Sequence, residues 1–342
     1  MHYCIFRTDR IGDLVLTLPM AEAITRHNPA ARVTFVVQDY TRPLLSLAPH
    51  IDDVISIGGR DLEGGVRRFA FVLKEKHIDA AVFAYPRPRL AFAAALARIP
   101  ARVGTGYRWF SPLLTHRRAE HRRGGDSHEM EYNLRLLEEI GIEAPVGLGP
   151  VLVIDEPRRA VAHDILRRAG IDAAAPFIAL HPGSGGSAKD WPAASFALLA
   201  QDLLAETPAL QILVTGTAAE LPLMETVAAG DARIRVLHEP LPLDLLAAVL
   251  SEAKLFAANS TGPLHIAAAC GVPVLGFYPF GTAVNARRWG PRAARATVLS
   301  PLPDPACPDC TAGDCPVHDD MRRIPVASAI EAARGLMESS PR

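Results

Sequence analysis

Four short stretches concentrate side chains that can do chemistry. "HPGSGGSAKDWP" (His181–Pro192) sets three glycines and two serines beside a lysine, in a chain whose 36 basic residues are nearly all arginine. A loop this small packs poorly but lets backbone N–H groups approach a ligand closely. With Lys189 beside them, Ser184, Gly185, Gly186 and Ser187 form a candidate cradle for an anion such as a phosphate. The alternative is a flexible connection, and the G-x-x-x-x-G-K-[ST] spacing of a nucleoside triphosphatase is absent. "NSTGPLH" (Asn259–His265) opens a helix. Ser260 or Thr261 either caps it or leaves its first amides as a second anion site, and His265 is either a core histidine with one partner or a ligand contact. "TGTAAE" ends on Glu220, which reads either as a ribose ligand or as a solvated acid at a helix start. "RTDRIGD" places Asp13 after Gly12 at another helix start, as a carboxylate stabilised by the helix dipole or as a base.

The elements that must position these residues alternate. "HYCIF" (His2–Phe6), "RVTFVV" (Arg32–Val37), "DVISI" (Asp53–Ile57) and "DAAVFA" (Asp79–Ala84) read as strands. Between and after them, Asp13–Asn28, Pro88–Ile99 and Glu129–Gly141 read as helices. The alternation restarts near residue 176 with "FIALH", "QILVTG", "LFAAN" and "VPVLGFY" as strands between helices, one of which ends at Gly271. Such a pattern predicts an α/β protein of two Rossmann-like, doubly wound domains. The expected divisions are 1–150, 158–325 and a C-terminal helix or tail over 326–342, with the Gly/Pro-rich Gly141–Pro157 as linker. In open parallel sheets ligands bind beyond the carboxyl ends of strands. All four stretches follow strands, and two domains facing a cleft would set Asp13 opposite the glycine loop.

Composition narrows the classes. A chain of 342 residues suits two domains, and 49% hydrophobic residues suffice for two cores. A net charge of −1 gives no global attraction to nucleic acid. No apolar run has the length of a spanning helix, and no signal peptide is visible, so a cytoplasmic protein is expected. Cys4 and Cys270 read as single buried thiols. Cys307, Cys310, Cys315 and His318 have spacing compatible with a tetrahedral zinc site, a disulfide or unligated thiols, and no metal is expected.

Taken together, "RTDRIGDLVLTLP", "HPGSGGSAKDWP", "TGTAAE" and "NSTGPLHIAAACGVPVLGFY" resemble glycosyltransferase family 9, the lipopolysaccharide heptosyltransferases. "HEMEYNLRLLEEIG" resembles the family's helix before the linker. The resemblance implies the GT-B fold and an inverting transferase that uses an ADP-activated heptose and no metal or other cofactor. By motif, Asp13 would be the general base, Ser187 and Lys189 would hold the diphosphate, and Glu220 would contact the nucleoside. Thr261, Gly262 and His265 would line the donor pocket with Asn259, where many members carry an acid. The implied partners are a nucleotide-sugar donor and an anionic, lipid-linked saccharide acceptor met at the inner membrane face, with no nucleic acid. Arg10, Arg60, Arg117 and Arg118 are the candidate acceptor contacts. The last two lie in "THRRAEHRRGG" (Thr115–Gly125), which reads either as a basic patch for acceptor or leaflet or as a solvated loop. Other readings are a GT-B transferase or epimerase with another nucleotide sugar and a non-catalytic binding homologue.

Overall fold

The computed structural model describes residues 1–58, 64–122, 125–280, 284–301 and 320–338. It contains two compact units. The first comprises Met1–Arg123 and Glu129–Val153, and the second Gly124–His128 and Ile154–Arg342.

The first unit is built on six parallel strands: β1 (His2–Phe6), β2 (Arg32–Gln38), β3 (Asp53–Ile57), β4 (Ala80–Phe83), β5 (Ala101–Thr105) and β6 (His116–Arg118). They lie in the order β3-β2-β1-β4-β5-β6. The second sheet has β7 (Phe177–His181), β8 (Gln211–Thr215), β9 (Ile234–Leu237), β10 (Phe256–Asn259), β11 (Val274–Phe277) and β12 (Ala296–Leu299). Its order, β12-β11-β10-β7-β8-β9, repeats the first. In both, the first strand sits between the second and the fourth. That is the doubly wound arrangement, in which the chain reverses direction across the sheet beside its first strand. Helices cover both faces, so the central strands are continuous apolar runs rather than alternating ones: all five residues of β1 and of β7 are buried.

The switch points fall beside β1 and β7; the loop leaving β1 leads into the helix that carries Asp13, and the loop leaving β7 is the glycine stretch. The loop after β1 is pinned by its own sheet: the Thr8 carbonyl accepts from Gln38 Nε2 and Arg87 Nη2, each at 3.0 Å. The helix expected over Asp13–Asn28 is two helices, Ile11–Val15 and Pro19–His27. Pro19 has no N–H to continue the first. Thr17 and Leu18 instead bond three residues back, to the Leu14 and Val15 carbonyls, and the chain restarts with Pro19 in the first turn of the new helix.

A second difference lies in the basic stretch. His116–Arg118 is not a loop but the edge strand β6, paired with β5. Charged side chains suit a strand whose outer edge is unpaired.

In the second unit, Trp191 anchors the far end of the glycine stretch. It is fully buried, stacks on Phe277 with ring centroids 4.1 Å apart, and meets Phe196 edge-on at 4.9 Å. Its Nε1 donates to the Ile324 carbonyl at 3.1 Å. The last helix, Val326–Glu338, buries Ala329, Ala333 and Leu336 in this same core. Residues 125–128 also belong to this unit: His128 Nε2 lies 2.8 Å from the Gly290 carbonyl, and Arg287 donates to the Asp126 carbonyl at 2.7 Å.

Candidate active-site residues

In the first unit, Asp13 is organised by a residue that sequence reasoning missed. Arg7 follows β1 directly and is buried. Its Nη2 donates to Asp13 Oδ1, its Nε to Asp9 Oδ1 at 2.8 Å, and its Nη1 to Glu129 Oε1 at 3.3 Å and Asn133 Oδ1 at 3.2 Å. Only a planar guanidinium presents donors in so many directions at once. Burial pushes the Asp9 carboxyl above the usual aspartate range; Arg7 pulls it back, while the charge of Asp13 adds to the rise. Asn133 closes the network by donating to Thr17 Oγ1 at 3.1 Å, and Thr17 donates to the Asp13 carbonyl at 2.8 Å. Both the side chain and the backbone of Asp13 are therefore fixed. Among the described residues its second oxygen, Oδ2, has no partner, which leaves it able to accept a proton from a bound hydroxyl.

The proposed acceptor arginines fare differently. Arg118 is committed internally: it donates to Glu138 Oε2 at 2.7 Å and Glu139 Oε1 at 3.2 Å, with Glu120 at 3.6 Å. Its charge is thus shared among three glutamates. Arg122, from the same stretch, is spent on Glu129 at 2.8 Å. Arg117 and Arg10 are exposed. Arg60 lies outside the described residues, as do Cys307, Cys310, Cys315 and His318. Among the described residues, no group of three or more His, Cys, Asp or Glu side chains is placed to hold a metal ion. Cys4 and Cys270 are free thiols, the first fully buried and the second partly exposed.

In the second unit the glycine stretch is a braced structure. Gly185 and Gly186 take left-handed backbone angles, φ 58° and 74°, which glycine adopts without strain. Glu220 reaches the same segment. Its Oε1 accepts the Gly185 N–H at 3.1 Å, and its Oε2 accepts the Thr217 N–H at 2.9 Å and hydroxyl at 2.8 Å. A Cβ at Gly183 would lie 2.0 Å from Glu220 Oε1, so any larger residue there would displace the Glu220 side chain. Burial pushes the Glu220 carboxyl up, but the Thr217 and Gly185 bonds outweigh it and hold it below the ordinary glutamate value. Much of this carboxylate is thus engaged in shaping the loop. Ser187 is also tied down, its hydroxyl 2.8 Å from the Ser184 carbonyl and 3.0 Å from that of Ser260. Ser184 is buried, its hydroxyl 3.2 Å from the Ala188 carbonyl. Gly186 and Lys189 remain at the surface.

Asn259 makes its contacts inside the protein. It is fully buried at the end of β10, where Oδ1 accepts the Trp191 N–H at 2.7 Å. Its Nδ2 donates to the Pro182 carbonyl at 2.6 Å and to that of Trp191 at 3.3 Å. Both amide protons are used, so Asn259 clamps the two ends of the glycine stretch.

The helix Gly262–Ala269 has Thr261 at its N-cap, yet the Thr261 hydroxyl makes no capping bond. Its first-turn amides are therefore left for something other than the cap. One turn in, His265 is buried with Nδ1 unpartnered. Burial, with a smaller push from His128, lowers its pKa to about 3, so the ring is neutral. A buried nitrogen without a partner costs about 1–3 kcal/mol, which a bound ligand or water would offset. The core reading of His265 is right about burial and fails on the partner. His181, the last residue of β7, has Nδ1 2.9 Å from Thr215 Oγ1; burial lowers its pKa to about 4, against the charge of Glu220.

Two all-parallel sheets of identical strand order, with a fixed carboxylate at one switch point and a braced glycine loop at the other, define a GT-B-type α/β protein. The sequence profile of glycosyltransferase family 9 (heptosyltransferase) matches residues 66–315, and the chain belongs to that family. It is a glycosyltransferase. A Haemophilus influenzae protein described only as a glycosyltransferase is 28% identical over 84% of this chain and 85% of its own length. Lipopolysaccharide heptosyltransferase 2 of Escherichia coli is 25% identical over 78% of this chain and 80% of its own. The structure of E. coli ADP-heptose lipopolysaccharide heptosyltransferase II superposes with a TM-score of 0.82 at 22% identity, covering 99% of both chains.

Proposed function

We propose that this transferase moves a heptose from an ADP-activated donor to a hydroxyl of a lipopolysaccharide core saccharide, with inversion at the anomeric carbon. The names of the E. coli relatives support donor and acceptor. The observation that carries the chemistry is the Arg7–Asp13 pair, which holds one carboxylate oxygen and leaves the other open.

In this reading the acceptor hydroxyl gives its proton to Asp13 Oδ2 as its oxygen attacks the anomeric carbon. The bond from that carbon to the diphosphate breaks on the opposite face, and its electron pair leaves with ADP. A positioned base is commonly worth about 10²–10⁴-fold. The leaving diphosphate is stabilised by Lys189 and by the uncapped amides of helix Gly262–Ala269, with His265 Nδ1 supplying a neutral polar contact. Glu220 and Asn259 act one step back by holding the loop in shape. Such donors are made in the cytoplasm, so we place the reaction at the cytoplasmic face of the inner membrane. No helix among the described residues is long and apolar enough to cross a membrane.

The test is transfer from ADP-heptose and from ADP-, GDP- and UDP-hexoses to truncated core saccharides. Mass spectrometry reads the product and NMR its anomeric configuration. Heptose transfer with inversion is expected. Transfer from a UDP-sugar alone, or retention of configuration, would contradict the reading.

A further inference from the structure

Between Asp79 and Glu120 the chain carries seven arginines and not one carboxylate, although the whole chain has a net charge of −1. Arg87, Arg102 and Arg118 of this stretch are tied to backbone carbonyls or glutamates. Arg89, Arg98, Arg108 and Arg117 are exposed. The same stretch holds a concentration of exposed apolar side chains. Helix Pro88–Leu96 buries Leu90, Ala91, Ala93 and Ala94 but turns Phe92 and Leu96 outward, 42% and 56% exposed. Trp109, in the loop after β5, is 73% exposed, and its ring lies 6.0 Å from that of Phe92. Phe110 is buried beneath and meets Trp109 edge-on at 5.7 Å, so the exposed indole rests on a fixed base. Folding gains nothing from exposing such residues together, and a contiguous patch of this kind marks a contact surface.

We infer that the outer face of helix Pro88–Leu96 and the loop bearing Trp109 dock on a bilayer of anionic lipid. Trp109, Phe92 and Leu96 enter the interface, and Arg89, Arg98 and Arg108 meet the lipid phosphates. Exposed apolar side chains with exposed arginines close by in the chain are the pattern of a helix lying in a membrane surface, and tryptophan favours the headgroup level. The arginine excess matches anionic lipid in sign. The loop after β5 leaves the same edge of the parallel sheet as the loop after β1 that leads into the helix of Asp13. A lipid-held acceptor would thus be presented beside the base. The inference draws on the reading of a lipid-linked acceptor, but its test uses neither donor nor acceptor and stands or falls separately.

The test is cosedimentation of the full chain with vesicles of phosphatidylglycerol and phosphatidylethanolamine, against vesicles of phosphatidylcholine alone. Binding is expected only to the anionic vesicles and is expected to weaken with salt. Replacing Arg89, Arg98 and Arg108 by Ser should lower the partition by about 100-fold, since each arginine near an anionic surface is worth about fivefold. In a Trp289→Phe background, which removes the one other partly exposed indole, lipids brominated on the acyl chain should quench tryptophan emission, and the quenching should vanish on adding Trp109→Phe, because the remaining Trp191 is fully buried. The surface is not a membrane face if the chain binds both vesicle types equally, if quenching persists once Trp109→Phe is added, or if the triple variant binds as before. Binding of single-stranded nucleic acid or self-association that the same substitutions abolish, without vesicle binding, would likewise overturn it.

Discussion

Asn259 accepts the Trp191 N–H at 2.7 Å from the end of β10, while its amide nitrogen holds the Pro182 carbonyl at 2.6 Å. One buried amide thus joins both ends of the stretch that carries Lys189. Asn259→Asp would keep the acceptor but set a carboxylate against two carbonyls. It should destabilise the protein by about 3–5 kcal/mol if charged, and Asn259→Ala by about 1–3 kcal/mol. Both should weaken ADP binding without changing which sugar is transferred. Thermal unfolding, ADP calorimetry and a donor comparison check this. An unchanged melting temperature with altered sugar preference would return Asn259 to the pocket.

Lys189 is the exposed cation of that stretch. Lys189→Ala should weaken ADP binding about 10- to 100-fold, the range of a charge-assisted phosphate contact. Stability should hold, since an exposed side chain is removed. Calorimetry with equal ADP affinity in both proteins would make the stretch purely structural.

Arg7 serves Asp9, Asp13 and Glu129 at once. Arg7→Met would leave three acids close together without their cation and should unfold the first unit readily. Arg7→Lys keeps the charge but loses the planar fork. It should fold, lower kcat about 10- to 100-fold and leave the donor Kd unchanged, since a displaced base weakens the transition state without touching donor binding. An unaltered kcat in Arg7→Lys would mean that Asp13 does not depend on Arg7 for its placement.

His181 and His265 are buried and neutral, with pKa values lowered to about 4 and about 3 from 6.5. Below pH about 6.5 the unfolded chain takes up protons that the fold refuses, so stability falls as the pH drops toward those values. Between pH 6.5 and about pH 5 each imidazole costs about 2 kcal/mol. Asp9, its carboxyl raised by burial, works in the opposite direction over part of this range. The cleaner reading is therefore a difference. His265→Leu should show a smaller loss of melting temperature between pH 7 and pH 5 than the parent protein, and equal losses would refute the buried neutral ring.

The legible part of this molecule was the part written locally. β1, β3 and β7 begin and end where their apolar runs do. Four strands are not legible in this way: the edge strands β6, β9 and β12, because an edge needs no continuous apolar run and "HRR" carries charge instead, and the interior β5, whose "ARVGT" is interrupted by Arg102 and Gly104. In the site, residue types at strand ends pointed to Asp13, Lys189, Glu220 and His265, but not to what holds them. Arg7 and Glu129 are 122 residues apart, and Asn259 and Trp191 are 68 apart. No local pattern records such a pair. The role of Asn259 is hidden for the same reason: a buried amide clamp and a pocket amide are the same letter, and only the partners distinguish them.

The central claim is that Asp13 is the base, supplied by the unit that does not carry the glycine loop. Asp13→Asn keeps size and shape while removing the proton acceptor. Steady-state transfer and donor calorimetry on the same preparation should show kcat lowered about 100-fold or more, with the ADP-sugar Kd within a few-fold of the parent value. If the variant retains more than about a tenth of the parent kcat, the base lies elsewhere and the account of the Arg7–Asp13 pair is wrong.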